Sequence, residues 1–398
     1  MTEADMDLLK RYKREIEYCT FCPRLCRFVC PTALAEDNET YTPTSKMTLV
    51  YLAEIASARP EEVKKAFYMC VDCKHCMTPC IHKIDVPKVL IAARAKAFRS
   101  GIADDNVKRF ADALEKYDHP YSRIMGDNLK EVVDAGHRTR PAVADTEPSA
   151  APGGTQAGPA PTVDGGKERV LYFPGCTALR FDKELVKDAM GLLSRLGIRT
   201  DIMDEPLCCG YPGYASGNMD WFMKVASRMK QVLDGYDTVV STCPTCITTF
   251  RTLYHRHGID IKARPVHMLE YIAPAVRPLL DGRKKEDTTA AYHDPCHLGR
   301  HLGVYDVPRE IIDRLYERRV ELLWNRDDAN CCGGGGAVPL TLPGTSGKIA
   351  RKRMGEFRST GADVLLTACP SCVRWLQKAD GDAKVMDITR VLIDRLAE

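Results

Sequence analysis

Two stretches of this chain set a pair of adjacent cysteines ahead of a glycine: "DEPLCCGYPG" at 204–213 and "DDANCCGGGG" at 327–336. They are the centres of a longer repeat. "VLYFPGCTA" at 170 answers "AAYHDPCHL" at 290, and "KVASRMKQV" at 224 answers "KIARKRMGEF" at 348. "DTVVSTCPTC" at 237 answers "ADVLLTACPSC" at 362, and "VHMLEYI" at 266 answers "VMDITRVL" at 385, all in the same order and about 120 residues apart. Each copy alternates short β-branched runs, at 239–241 and 364–366, with amphipathic helical stretches, the pattern of α/β units on parallel strands. Each Cys-Pro-x-Cys follows a strand and opens a helix, where free amides and the positive end of the helix dipole favour an anionic ligand. Neighbouring side chains diverge, so two adjacent thiols cannot easily share one small ion. They become useful when the ligand presents several metal atoms.

The chain holds 18 cysteines in 398 residues. It begins "MTEADMDLLK", without an apolar leader, so the expectation is a cytoplasmic protein whose thiols stay reduced and serve metal rather than disulfides. The longest uncharged stretch, 329–347, contains six glycines and two prolines, and no run approaches the ~20 apolar residues of a membrane helix. Membrane contact is therefore expected only through a partner. Lys and Arg total 57 against 54 Asp and Glu, too even a balance for a nucleic-acid surface.

Residues 1–140 read as a helical domain. Leu8, Tyr12 and Ile16 share one helix face, and "VPKVLIAARAKAFRSG" at 86–101 reads as a second helix. The domain carries two runs of four cysteines: Cys19, Cys22, Cys26 and Cys30, then Cys70, Cys73, Cys76 and Cys80. Two groups of four suit two [4Fe-4S] cubane clusters. In the bacterial two-cluster arrangement the fourth cysteine of each run serves the other cluster, which pairs Cys19, Cys22 and Cys26 with Cys80, and Cys70, Cys73 and Cys76 with Cys30. A single tetrahedral zinc would leave half of these thiols unused. The first run departs from the usual spacing, with three residues between Cys22 and Cys26 where the second run has two. Lys74, His75, His82 and Lys83 around the second run read as a solvated basic face. Residues 141–167, rich in Pro, Gly and Ala and without an aromatic side chain, read as a flexible linker, with the repeated modules at 168–284 and 285–398.

Module one offers Cys176, Cys208, Cys209, Cys243 and Cys246; module two offers Cys296, Cys331, Cys332, Cys369 and Cys372. Five thiolates exceed the four corners of a cubane. With spacings C-x31-CC-x33-C-x2-C and C-x34-CC-x36-C-x2-C, both modules resemble the CCG cysteine-rich domain. The whole chain resembles heterodisulfide reductase of the D type, in which the C and B polypeptides of the soluble enzyme are fused. That resemblance implies an α plus α/β architecture: an N-terminal helical two-[4Fe-4S] ferredoxin domain followed by two α/β CCG domains. It implies that the ten module cysteines hold two noncubane [4Fe-4S] clusters, and that the disulfide of coenzyme M and coenzyme B is cleaved between them. It also implies anaerobic metabolism and a flavin- or haem-containing subunit that feeds the cubanes.

The same architecture serves iron–sulfur subunits of flavin-linked glycolate, lactate and glycerol 3-phosphate dehydrogenases, and resembles relays from electron-transfer flavoprotein or within benzoyl-CoA reductase complexes. A relay with no substrate of its own therefore stands beside disulfide reduction. His293, His297 and His301 surround Cys296 as candidate proton donors to a departing thiolate. "CCGGGGA" lacks any accompanying phosphate-loop motif, so neither flavin nor nucleotide is expected in this chain. Gly210 and Gly333 are expected to let the backbone approach inorganic sulfur. Trp221, Phe222 and Met223 read as helix packing.

Overall fold

The computed structural model describes residues 7–55, 57–121, 124–134, 139–140 and 168–397; the linker expected at 141–167 lies outside the described residues. In the helical region Asp7 caps the helix Leu8–Thr20 by accepting from the Lys10 amide at 2.9 Å. That helix buries Leu8, Tyr12, Ile16 and Cys19, and packs on the helices Pro43–Glu54 and Val86–Arg99. The second cysteine run has a left-handed residue at Asp72, φ 55°, and each run enters its 3₁₀ turn, Leu25–Val29 or His75–Met77, through a left-handed residue, Arg24 at φ 67° or Lys74 at φ 59°. Arg24 and Lys74 each stand two positions before the third cysteine. The extra residue of the first run is therefore absorbed at Pro23, and the two turns keep the same form and pack together.

Module one is a parallel sheet of Thr139–Arg140 (β1), Val170–Tyr172 (β2), Thr200–Met203 (β3), Thr238–Ser241 (β4) and Arg264–His267 (β5), in the order β1-β3-β2-β4-β5. Module two is a parallel sheet of Glu286–Tyr292 (β6), Tyr316–Glu321 (β7), Val364–Thr367 (β8) and Lys384–Asp387 (β9), in the order β7-β6-β8-β9. Because the strands of each sheet run the same way, the connections leaving their carboxyl ends open on one edge, where α/β sheets place ligands. Every module cysteine sits on such a connection. Cys176, the Cys208–Cys209 pair and Cys243 with Cys246 follow β2, β3 and β4; Cys296, the Cys331–Cys332 pair and Cys369 with Cys372 follow β6, β7 and β8.

The modules pack by exchanging helices. Lys183–Arg195 of the first lies on Ile388–Ala397 of the second, and Met268–Leu280 of the first lies on Asp306–Leu315 of the second. One core therefore joins Tyr172, Val240 and Ile272 to Tyr292, Leu366 and Leu392. Two elements from the 1–140 segment sit with module one: β1 pairs with β3, and the helix Ile124–Asp134 sends Met125, Leu129 and Val132 into this same core. Trp221 and Phe222 are fully buried in module one, as packing residues should be.

Arg94 ties the helical region to both modules. Its buried guanidinium donates to Phe67 O at 2.8 Å, Cys70 O at 2.8 Å, Ala215 O at 2.7 Å and Gly336 O at 2.6 Å. The glycine run after Cys332 makes the second seam. A Cβ at Gly335 would stand 2.5 Å from Val71 O, and one at Gly336 2.2 Å from Cys70 O, so backbone meets backbone where only glycine fits. Among the described residues, no helix is long and apolar enough to cross a membrane.

Candidate functional site

All 18 cysteines are free thiols. In module one they form a chain of contacts: Cys176 touches Cys208, Cys208 touches Cys209, Cys209 touches Cys246, and Cys246 touches Cys243. Module two repeats it as Cys296, Cys331, Cys332, Cys372 and Cys369, with the sulfurs of Cys332 and Cys372 3.3 Å apart. The doubled cysteine is the hinge of the chain. Its first member reaches the lone cysteine after the first strand of the copy, and its second member reaches the Cys-Pro-x-Cys helix.

Gly210 and Gly333 shape this hinge through their backbone. Their φ values are 91° and 85°, and an added Cβ would press on the Phe222 ring at 3.0 Å or on Ser346 O at 2.5 Å. In this left-handed conformation each glycine amide points back at the first sulfur of the pair, 3.5 Å from Cys208 Sγ and 3.4 Å from Cys331 Sγ. The glycine thus provides an N–H donor to a ligand-type sulfur, and close packing on its outer side excludes any side chain.

Both thiol chains open into one cavity of about 320 Å³ between the modules, lined by every module cysteine except Cys208. Contact with Cys372 lowers the pKa of the Cys369 thiol, but burial and the charge of Cys243 across the module boundary outweigh it and hold the thiol above its ordinary value. The remaining wall is largely aromatic and apolar, with Phe110, Tyr121, Phe181, Leu340 and Trp375. Arg374 is the one guanidinium among the lining residues, held over the Phe181 ring at 3.2 Å. Thr177 and Ser371 hydroxyls meet at 3.5 Å across the modules.

Of the three histidines expected around Cys296, only His297 reaches both that thiol, with Nδ1 3.5 Å from Sγ, and the cavity. His301 stacks behind it at 4.1 Å between centroids and bonds to Asp72 O at 2.9 Å. The Asp72 carboxylate accepts from the Tyr211 hydroxyl at 2.9 Å; burial raises its pKa, but His297, His301 and Lys74 outweigh that and hold it well below the usual carboxylate range. His293 lies on the other side, against Cys332.

In the helical region Cys30 stands with the second run: Cys30, Cys70, Cys73 and Cys76 line one cleft. Cys80 stands with the first. Burial pushes the Cys19 thiol up to about 12, assisted by Cys26, Cys80 and Cys22. Cys22, Cys26 and Cys80 line an open cleft with the exposed Phe21 and Ile81. Burial alone would raise the Cys30 thiol, yet the Lys46 ammonium at 3.3 Å and the Thr32 hydroxyl at 3.2 Å leave it below its ordinary value. Burial lifts Cys70 to about 11. The expected solvated basic face survives only at His82 and Lys83. His75 is buried, its pKa lowered to about 3 by desolvation and by Arg300 and Arg353, and Lys74 pairs with Asp85 at 3.6 Å.

A thiol contact also joins the two regions: Cys73 touches Cys331. Arg300 braces this junction, donating to Cys73 O at 2.6 Å and to Ala329 O at 2.8 Å, with the sulfurs of Cys73, Cys296 and Cys331 as neighbours of its guanidinium. Lys46, Arg94, Arg300, Tyr121 and Arg374 were not singled out by the sequence pattern.

Comparison with known proteins agrees with this layout. A family model described as a 4Fe-4S dicluster domain matches residues 15–84, and one described as a cysteine-rich domain, CCG, matches twice, at 170–251 and 290–377. The D component of dihydromethanophenazine:CoB–CoM heterodisulfide reductase from Methanosarcina mazei is 26% identical, over 96% of this chain and 94% of the relative. The B component of fumarate reductase (CoM/CoB) from Methanothermobacter marburgensis is 26% identical over 83% of this chain and 62% of the relative. Lactate utilization protein A of Bacillus subtilis is 29% identical over 57% of this chain and 100% of the relative. The chain belongs to the family of iron–sulfur proteins related to D-type heterodisulfide reductase, with a 4Fe-4S dicluster domain followed by two CCG cysteine-rich domains.

Proposed function

We propose that this chain is the iron–sulfur subunit of an oxidoreductase complex that reduces a small disulfide in the cavity between its two modules. The observation that carries the reading is that two five-thiol chains of identical order open into one cavity of about 320 Å³. Cys19, Cys22, Cys26 and Cys80 would hold one cubane, and Cys30, Cys70, Cys73 and Cys76 the other. Cys176, Cys208, Cys209, Cys243 and Cys246 would hold one noncubane [4Fe-4S] cluster, and Cys296, Cys331, Cys332, Cys369 and Cys372 its partner. The donor set fits: free thiols in groups of four and five, glycine amides aimed at Cys208 and Cys331, and the cations Lys46 and Arg300 beside the thiolate charge.

When bound, the clusters supply electrons one at a time. Cleaving a disulfide consumes two electrons and two protons and yields two thiols. The protein's own part is to orient the disulfide between the modules and to restrict water with aromatic walls. Arg374 pairs with an anionic group of the substrate, and the His297 imidazole stands beside Cys296, with Nδ1 3.5 Å from its sulfur. The open cleft at Cys22, Cys26 and Cys80 faces the flavin- or haem-containing donor subunit, and any membrane contact belongs to that partner.

A second reading, an electron relay with no substrate of its own, is favoured by the likeness to lactate utilization protein A. Anaerobic turnover of a disulfide panel with reduced viologen decides between them. Consumption of viologen in step with thiol release supports reductase chemistry. No turnover from a protein with full iron and sulfide content leaves the relay.

A further inference from the structure

Phe173 and His293 occupy the same place in the two modules. Each follows the tyrosine that ends a strand, each is buried, and their amides make the same bond, Phe173 N to Val240 O at 2.7 Å and His293 N to Leu366 O at 2.9 Å. Their side chains differ in kind. Phe173 packs edge-on against Phe250 at 5.1 Å between centroids. His293 instead accepts at Nδ1 from Arg353 Nε, 3.0 Å away, and Arg353 is itself anchored by Trp324 O at 2.8 Å and the Glu356 carboxylate at 2.5 Å. The repeat sets Met229 where module two has Arg353, and both are buried. Module two thus replaces an apolar pair, Phe173 and Met229, with a polar one.

The arginine decides what the imidazole can do. A neutral ring that accepts at Nδ1 carries its proton on Nε2. Nε2 is buried and has no hydrogen-bond partner among the described polar atoms. The imidazole nitrogen, Cys332 Sγ and Cys372 Sγ lie within 4.8 Å of one another. The ring is therefore a fixed N–H donor facing sulfur, with no lone pair on that side to bind a metal. Hydrogen bonds to a metal-bound sulfur favour the electron-rich, reduced state of a cluster.

Resting on the iron–sulfur reading above, we propose that His293, held by Arg353, is a positioning residue that donates Nε2–H to the Cys332 sulfur and gives the module-two centre a higher reduction potential than the module-one centre. The module favoured in this way is also the one whose Cys331 touches Cys73 of the dicluster region.

The test is an EPR-monitored redox titration of the intact holoprotein, with the module signals assigned from Cys208→Ser and Cys331→Ser variants. His293→Phe should move the module-two midpoint negative, toward that of module one, while the module-one and dicluster midpoints stay fixed. Arg353→Met, which keeps the imidazole but frees its tautomer, should move it part of the way. His293→Gln, which retains an N–H donor near the same position, should restore most of the loss. An unchanged module-two midpoint in both His293→Phe and Arg353→Met overturns the proposal. So does loss of module-two iron in His293→Phe with retention in Arg353→Met, or a directly bound nitrogen seen by ¹⁴N hyperfine spectroscopy, since either makes His293 a ligand. Wild-type modules without iron and sulfide would overturn the iron–sulfur reading itself, and this proposal with it.

Discussion

The two modules share a fold and a thiol chain but not an environment. The elements that aim the cysteines are duplicated closely: three strands ending at one edge, a left-handed glycine after each doubled cysteine, and a Cys-Pro-x-Cys that opens a helix. Around that frame, Phe173, Thr177, Phe181 and Met229 of the first module are answered by His293, His297, His301 and Arg353 of the second. A frame that binds a multi-metal group tolerates little change, because each sulfur must meet its own metal atom. The residues behind the sulfurs are free to diverge, and there the modules become chemically unequal. The second module is also the one whose Cys331 thiol meets Cys73 of the dicluster region.

Removing one hinge thiol should have the largest effect. Cys209→Ser and Cys332→Ser should each abolish disulfide turnover and each cost about four irons per chain. They should differ in electron flow: the Cys209 variant keeps a reducible module-two centre, whereas the Cys332 variant leaves module one slow to reduce in rapid freeze-quench EPR. Equal reduction rates of the surviving centre in both would break the comparison. Arg94→Met should act on both modules at once. Losing charge-assisted bonds to four buried carbonyls should destabilise the chain by about 3 kcal/mol or more, read as a lower denaturation midpoint.

Substrate pairing offers a smaller, one-sided effect. Arg374→Leu should raise KM for an anionic disulfide about tenfold, roughly 1.4 kcal/mol, with little change for a neutral one. Thr248→Val at the equivalent position of module one should leave both unchanged.

The smallest effect lies at the buried helix caps. His267 accepts from the Leu269 amide at 3.3 Å, and Asp387 accepts from the Thr389 amide at 2.9 Å. Burial lowers His267 to about 4 and raises Asp387 to about 7. The sign is opposite in the two. A depressed His267 contributes stability present above its unfolded value of about 6.5 and lost as pH falls toward 4; a raised Asp387 contributes stability present below about 4 and lost as pH rises through 7. Asp387→Asn should therefore be less destabilising at pH 8 than at pH 4, measured by chemical denaturation. A pH-independent effect would remove Asp387 from the comparison.

The parts of this molecule legible in the sequence are those in which local spacing is the chemistry. Cysteine runs, the duplicated motif and the strand-to-helix junctions report their roles within a few residues of one another. Contacts between distant segments leave no such trace. Arg94 lies on an ordinary amphipathic helix, and its partners Ala215 and Gly336 are 121 and 242 positions away. The four-glycine run reads locally as a loop, and only its meeting with Val71 and Cys70 gives it a reason. His75 reads as one basic residue among several, yet packing buries it. The histidines near Cys296 were conspicuous, but their division among Cys296, Asp72 and Cys332 depends on the turn at His297–His301 and on Arg353, 60 positions from His293.

The most direct test of the account is anaerobic crystallography of the holoprotein with iron anomalous scattering. The account predicts one noncubane iron–sulfur core in each module, bonded to all five of that module's cysteines, with the two cores facing one cavity. Lone metal ions, or cubanes that leave the fifth thiol of a module unbound, would contradict it.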